Sequence, residues 1–175
     1  MDKKITKIAI FDFDGTLVST EVPQTGKQKY EEKTGKPWPH IGWWGKAESL
    51  DTEIFESPLV DMVKEAYDKI KLEEETLMVM LTGRMIKLST QVEKILELHG
   101  LEFDEYHYNK GGATDVAKMK TIDMLLRKFN DVDEIILFDD RLEHIPIFDE
   151  FLRKKSEAKE IKKYTIIVVP SDRHK

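Results

Sequence analysis

Five short runs of apolar, β-branched or aromatic residues punctuate the chain: "KIAIF", "TLMVML", "FDEYHY", "EIILF" and "TIIVV". Each has the length and composition of a strand, the third being the weakest. Between them, apolar residues recur at helical spacing. Residues 58–72 put Leu59, Met62, Val63, Ala66, Tyr67 and Ile70 on one stripe, and Pro58 after Ser57 reads as a capped first turn. Residues 87–99 and 115–129 repeat the period, with Gly100 placed to end the former. Strands alternating with helices imply right-handed crossovers and a parallel sheet covered on both faces. The expected fold class is therefore α/β, a doubly wound Rossmann-like sheet.

In such sheets the loops at the carboxyl ends of the strands form the ligand crevice. The first strand runs into Asp12 and Asp14, the second into Thr82, Gly83 and Arg84, and the fourth into Asp139 and Asp140. One sheet edge should gather them all. Residues 19–56 break the strand-helix rhythm. They carry Trp38, Trp43 and Trp44 with Pro23, Pro37 and Pro39, directly after the first acidic loop. They read as an inserted flap or small cap over the crevice, within a single domain spanning residues 1–175.

Composition narrows the function classes. A chain of 175 residues that is 40% hydrophobic can bury one real core. No apolar run approaches the roughly 18 residues needed to cross a bilayer. The start, Met1-Asp2-Lys3-Lys4, lacks the apolar segment of a secretory signal, so a cytoplasmic location without a membrane partner is expected. Cysteine is absent, which excludes disulfides, thiolate nucleophiles and sulfur-ligated zinc. A net charge of −6 gives no reason for tight nonspecific binding to nucleic acid. The locally basic stretch "RKKSEAKEIKK" reads as a solvated helix face.

Two carboxylates about 4 Å apart repel by roughly 4 kcal/mol at an effective dielectric near 20, so several at one edge call for a cation. With hard oxygen donors, Mg²⁺ is the expected cofactor, keeping waters and a substrate phosphate in its octahedron. That chemistry is phosphoryl transfer.

The motif "DFDGTL" resembles the first motif of the haloacid dehalogenase (HAD) superfamily of phosphohydrolases, and "LTGR" and "ILFDD" resemble its second and fourth, in order. The resemblance implies that Asp12 attacks phosphorus to form an aspartyl-phosphate. It makes Asp14 the general acid and base, with its backbone carbonyl at the Mg²⁺, while Gly15 permits the turn and Thr16 braces it. Thr82 and Gly83 would donate hydroxyl and amide to the phosphoryl oxygens. Asp139 would bind Mg²⁺ directly, with Asp140 as ligand or outer support. The third motif is a lysine, for which Lys118 and Lys120 are candidates. Lys118 is favoured because it lies four residues before Ile122 and seven before Leu125, on the buried stripe of its helix.

A tighter resemblance, carried by "GWWGKAESLD", "MLTGR", "TDVAK" and "FDDRLEHIPIF", is to the Swiss Army Knife RNA repair-like branch of that superfamily. In that branch an Arg and a His follow the acidic pair, matched by Arg141 and His144. An aromatic residue usually precedes the lysine, where this chain has Ala117. The implied function is a Mg²⁺-dependent phosphomonoesterase acting on a small phosphorylated substrate, a nucleotide or a nucleic-acid end.

Several residues carry two readings. Arg84 either binds substrate or pairs with a site carboxylate. His144 is either a site residue or a packing histidine, whereas His99 and His107 read as structural. Trp43 and Trp44 are either platforms for a nucleobase or the core of the insertion, which has little else to bury. Two rival functions differ in class. A non-catalytic phospho-acceptor resembling a response-regulator receiver needs an Asp after the third strand, and "FDEYHYN" ends without one. A nucleic-acid-processing accessory protein with a vestigial site would not need Asp12, Asp14, Thr82 and Asp139 together.

Overall fold

The structure, a computed structural model, describes residues 3–171; Met1 and Asp2 of the Met1–Lys4 start lie outside the described residues. Five strands, β1 (Lys7–Phe11), β2 (Thr76–Met85), β3 (Glu105–Asn109), β4 (Glu134–Asp139) and β5 (Lys163–Val168), form one sheet in the order β3-β2-β1-β4-β5. All of the pairings are parallel. The helices are α1 (Pro23–Thr34), α2 (Asp61–Lys71), α3 (Ser89–Leu98), α4 (Thr114–Lys128) and α5 (Ile145–Glu157).

β1 is the most apolar strand and takes the centre, with Ile8, Ala9, Ile10 and Phe11 all fully buried. Side chains alternate across a strand, so Ala9 and Phe11 face one side with Met78 and Met80. There they meet Val63, Tyr67 and Ile70 of α2 and Val92 and Ile95 of α3. Ile8 and Ile10 face the other side with Val79 and Leu137, against Ile122 and Leu125 of α4 and Phe148 and Leu152 of α5. The sheet is doubly wound. Because the chain builds outward from β1 through β2 to β3 and then returns to β4 on the far side, the strand order reverses between β1 and β4. A crevice opens at the carboxyl ends of strands where such a reversal occurs.

Two of the local expectations need correction. The helix expected over 58–72 begins at Asp61, and neither Ser57 nor Pro58 starts it. Residues 58–60 are held extended: Pro58 O accepts the Ser19 amide at 2.8 Å, Val60 N donates to Leu17 O at 3.1 Å, and Leu59 bridges Val18. Backbone groups committed to that bridge cannot also enter a helical turn. The second strand also runs on past "TLMVML" to Met85. Its pairing with β3 slips from Leu81↔His107 to Met85↔Asn109, so the Thr82-Gly83-Arg84 stretch bulges. Bulges of this kind re-aim side chains beside a site.

Gly100 follows α3 with φ +70°, the left-handed cap that its position predicted. α5 lies largely ahead of the basic stretch, opening on Ile145 with Pro146 in its first turn. The 19–56 segment contains α1 and a single 3₁₀ turn at Ala47–Leu50. Among the described residues, no helix is long and apolar enough to cross a membrane.

Candidate active site

Register brings the acids together. Phe11 of β1 pairs with Phe138 of β4, so the residues that follow, Asp12 and Asp139, emerge side by side, and the Asp12 amide donates to Phe138 O at 3.0 Å. Carboxylate oxygens of Asp12, Asp139 and Asp140 all lie within 4.8 Å of one another. All three residues are buried. From α4, Lys118 reaches in because its helix face is the buried one, and its Nζ donates to Asp12 Oδ1 and Asp139 Oδ2 at 2.9 Å each. Lys120 is exposed on another face. Thr16 does brace the loop, its Oγ1 lying 3.2 Å from Asp12 Oδ2 and 3.5 Å from Asp140 Oδ1. The Arg141 amide donates to Asp139 Oδ1 at 3.0 Å.

One ammonium thus faces three buried carboxylates. Burial, reinforced by the charge of Asp139, pushes the Asp12 carboxyl well above its ordinary range despite the opposing pull of Lys118. Burial draws the Lys118 ammonium down, but the Asp12 and Asp139 charges more than reverse this and hold it protonated. The remaining negative excess, presented by oxygen donors alone, fits a hard divalent cation such as Mg²⁺.

Asp14 behaves differently from the other acids. Its carboxylate stands outside the three-oxygen group and is gripped by Thr20 Oγ1 at 2.6 Å and by Arg84 through Nε at 2.9 Å and Nη2 at 2.7 Å. Arg84 therefore pairs with a site carboxylate. Its Nη1 donates to Trp44 O at 2.7 Å and Ser49 Oγ at 2.9 Å, and its guanidinium lies 5.0 Å from the Trp44 ring centroid. Gly83 packs where no side chain fits, since a Cβ there would stand 2.5 Å from Thr114 Cγ2. Thr82 is buried, and its Oγ1 accepts the Arg84 amide at 3.1 Å, which leaves its own proton to donate.

The two neighbouring tryptophans separate. Trp43 is 4% exposed, its ring lying against Gly26 and packing on Trp38 and Phe55, with Nε1 donating to Glu21 O at 3.2 Å. It is the core of the 19–56 segment. Trp44 is 41% exposed and lines the cavity. That cavity, about 430 Å³, is lined by Asp12, Asp14, Gly83, Lys118, Asp139 and Asp140, together with Pro23, Gln24 and Trp44 of the 19–56 segment and with Arg141 and His144.

His144 is buried, with no hydrogen-bond partner for Nδ1 among the described residues. Burial, then the Arg141 charge, lowers its pKa and so favours the neutral imidazole. His99 and His107 are engaged elsewhere, by Ser57 O at 2.6 Å and Glu105 at 2.8 Å. Sequence reading missed Thr20, Ser49 and Thr114. The last follows the Gly111-Gly112 turn just where α4 starts, a position that marks a loop at the crevice. Thr20 and Ser49 sit in the irregular segment and carry no such signal.

The profile of HAD domain family 1 in Swiss Army Knife RNA repair proteins matches residues 33–175, a span that begins after the Asp12–Asp14 loop. The chain is similar to the uncharacterized protein YMR265C of Saccharomyces cerevisiae, 26% identical over 84% of this chain but only 37% of that protein. Among solved structures it resembles a chain of the Pnkp1/Rnl/Hen1 complex, with a TM-score of 0.61 and 15% identity over 97% of this chain and 48% of the other. It also resembles the haloacid dehalogenase-like hydrolase SP0104 from Streptococcus pneumoniae, with a TM-score of 0.51 and 18% identity over 97% of this chain and 88% of the other. At these identities the structural likenesses establish a HAD fold and nothing finer. Since the matched profile spans well over half of its residues, the chain belongs to HAD domain family 1 of the Swiss Army Knife RNA repair proteins.

Proposed function

We propose that the protein is a Mg²⁺-dependent phosphomonoesterase that works through a phosphorylated Asp12. The observation that carries this reading is the meeting of the Asp12, Asp139 and Asp140 carboxylates with the Lys118 ammonium, all lining one cavity. Four charged groups from three elements converge there at the carboxyl end of the central strand. Such convergence is costly for folding and useful for chemistry on a phosphate.

In this reading an Asp12 carboxylate oxygen attacks phosphorus and the ester oxygen departs, taking a proton from Asp14. A water that gives its proton back to Asp14 then attacks the aspartyl-phosphate, releasing phosphate and restoring Asp12. Lys118 offsets negative charge on the transferring group, and the Thr82 hydroxyl and Gly83 amide donate to its oxygens. A Mg²⁺ held by Asp12, Asp139, Asp140 and the Asp14 carbonyl would supply charge neutralisation at the phosphoryl oxygens. The 19–56 segment serves as the flap that closes over the leaving group.

For substrate class, we infer a phosphorylated nucleotide or a nucleic-acid end. The exposed Trp44 ring at the cavity wall and the RNA-repair membership of the family support this. Hydrolysis of p-nitrophenyl phosphate with Mg²⁺, with EDTA, and by D12N tests the chemistry. Parallel assays on 3′-phosphate oligonucleotides, 5′-phosphate oligonucleotides and mononucleotides test the substrate class. Turnover by D12N at the parental rate contradicts the first inference; kcat/KM on all three substrates no higher than on p-nitrophenyl phosphate contradicts the second.

A further inference from the structure

Arg84 is a buried arginine on the wall of the catalytic cavity, and its bonding already uses most of its capacity. Arginine has five N–H donors. Here Nε and one Nη2 hydrogen go to Asp14, and the two Nη1 hydrogens go to Trp44 O and Ser49 Oγ, which leaves one on Nη2. One face of the guanidinium is covered by the Trp44 ring. A phosphate could gain a bidentate grip only by displacing Asp14. The acceptors also divide by origin, with Asp14 at the tip of the central strand and Trp44 and Ser49 in the 19–56 segment.

We propose that Arg84 is a positioning residue that ties the Asp14 carboxylate to the 19–56 segment, so that the seating of this segment sets where Asp14 stands. The proposal rests on the reading of Asp14 as the general acid and base. A planar fork holds two partners in fixed relative orientation, which a lysine ammonium cannot do. Thr20, at the root of the same segment, adds a third donor to Asp14 and keeps its carboxylate turned toward the segment. The link passes through Ser49 and the Trp44 carbonyl and needs no contact between Arg84 and substrate.

Two variants test the link. R84K keeps the charge and loses the fork, while S49A removes the Arg84 bond to Ser49 Oγ together with that hydroxyl's own bond to Lys46 O and leaves Asp14 paired. Leaving groups separate positioning from phosphate binding, because an alkyl phosphate needs a proton donor for its departing oxygen and 2,4-dinitrophenyl phosphate does not. R84K is expected to lower kcat/KM on the order of 10²-fold for an alkyl phosphate and less than about fivefold for the dinitrophenyl ester. S49A should lower the alkyl value by about tenfold alone. Equal losses on both esters, or none, overturn the proposal. Amide hydrogen exchange across residues 43–51 reads the link without any activity: it should quicken about tenfold or more in R84K, which keeps the local Ser49 Oγ bond to Lys46 O, with exchange in α4 unchanged. If the parental protein hydrolyses no phosphomonoester, faster exchange upholds the tie and the fault lies with the enzymatic reading. Unchanged exchange overturns the tie itself.

Discussion

Lys118 donates to Asp12 across 2.9 Å, from a helix on one face of the sheet to the tip of its central strand. The same ammonium also reaches Asp139. Removing it leaves three buried carboxylates with no cation of their own. Lys118→Ala is therefore expected to destabilise the metal-free protein by about 3–5 kcal/mol, read from urea unfolding. Excess Mg²⁺ should recover part of the loss. A loss under about 1 kcal/mol would mean that the carboxylates are already neutralised without Lys118.

Mg²⁺ should stabilise the parental protein more at high pH than at low pH. The Asp12 carboxyl is raised in the folded state, so between its ordinary value of 3.8 and that raised value the folded chain holds a proton which the unfolded chain has lost. Stability of the metal-free protein accordingly falls as pH climbs through this window. A cation needs the ionised carboxylate, so its stabilising effect grows over the same window, reaching about 2.7 kcal/mol at a hundredfold excess over Kd. Thermal unfolding with Mg²⁺ and with EDTA at about pH 5 and about pH 8 checks the sign. A larger Mg²⁺ effect at the lower pH would contradict it.

Gly83 is fixed by packing against the start of α4. A Cβ at this position would lie 2.5 Å from Thr114 Cγ2 and 2.8 Å from its Oγ1. Gly83→Ala should cost about 1–3 kcal/mol by overpacking. Adding Thr114→Ala removes both clashing atoms and should restore most of that loss, a coupling that a double-mutant cycle measures. Additive losses would show that Gly83 is held by something other than Thr114.

The paired tryptophans should differ sharply under alanine substitution. Trp43→Ala empties the core of the 19–56 segment and is expected to cost about 3–5 kcal/mol. Trp44→Ala removes a half-exposed ring over Arg84, for about 0.5–1 kcal/mol. Urea unfolding followed by circular dichroism compares them. Equal costs would contradict the division between core and cavity wall.

Much of the frame was legible in the sequence because it rests on local, periodic signals. The runs Lys7–Phe11 and Glu134–Phe138 read as strands from composition alone, and the acids beyond them follow from the rule for strand ends. The stripe of Ile122 and Leu125 put Lys118, not Lys120, on the buried face of its helix, where the structure has it. What sequence could not reveal depends on pairing across distance. Pro58 resembles a helix start until Ser19 takes its carbonyl, and Trp43 and Trp44 are identical until Gly26 accepts one ring and Arg84 the other. Arg84 meets Ser49 across 35 positions through an irregular segment, where no periodicity reports on contact.

The most direct measurement is chemical trapping of the phosphorylated residue. The protein is quenched in acid during turnover of a phosphomonoester with Mg²⁺, reduced with borohydride, digested, and read by mass spectrometry. Conversion of Asp12 to homoserine, and of no other acidic residue, is the predicted result. Steady turnover with Asp12 unmodified, or with the label on another carboxylate, would contradict the account.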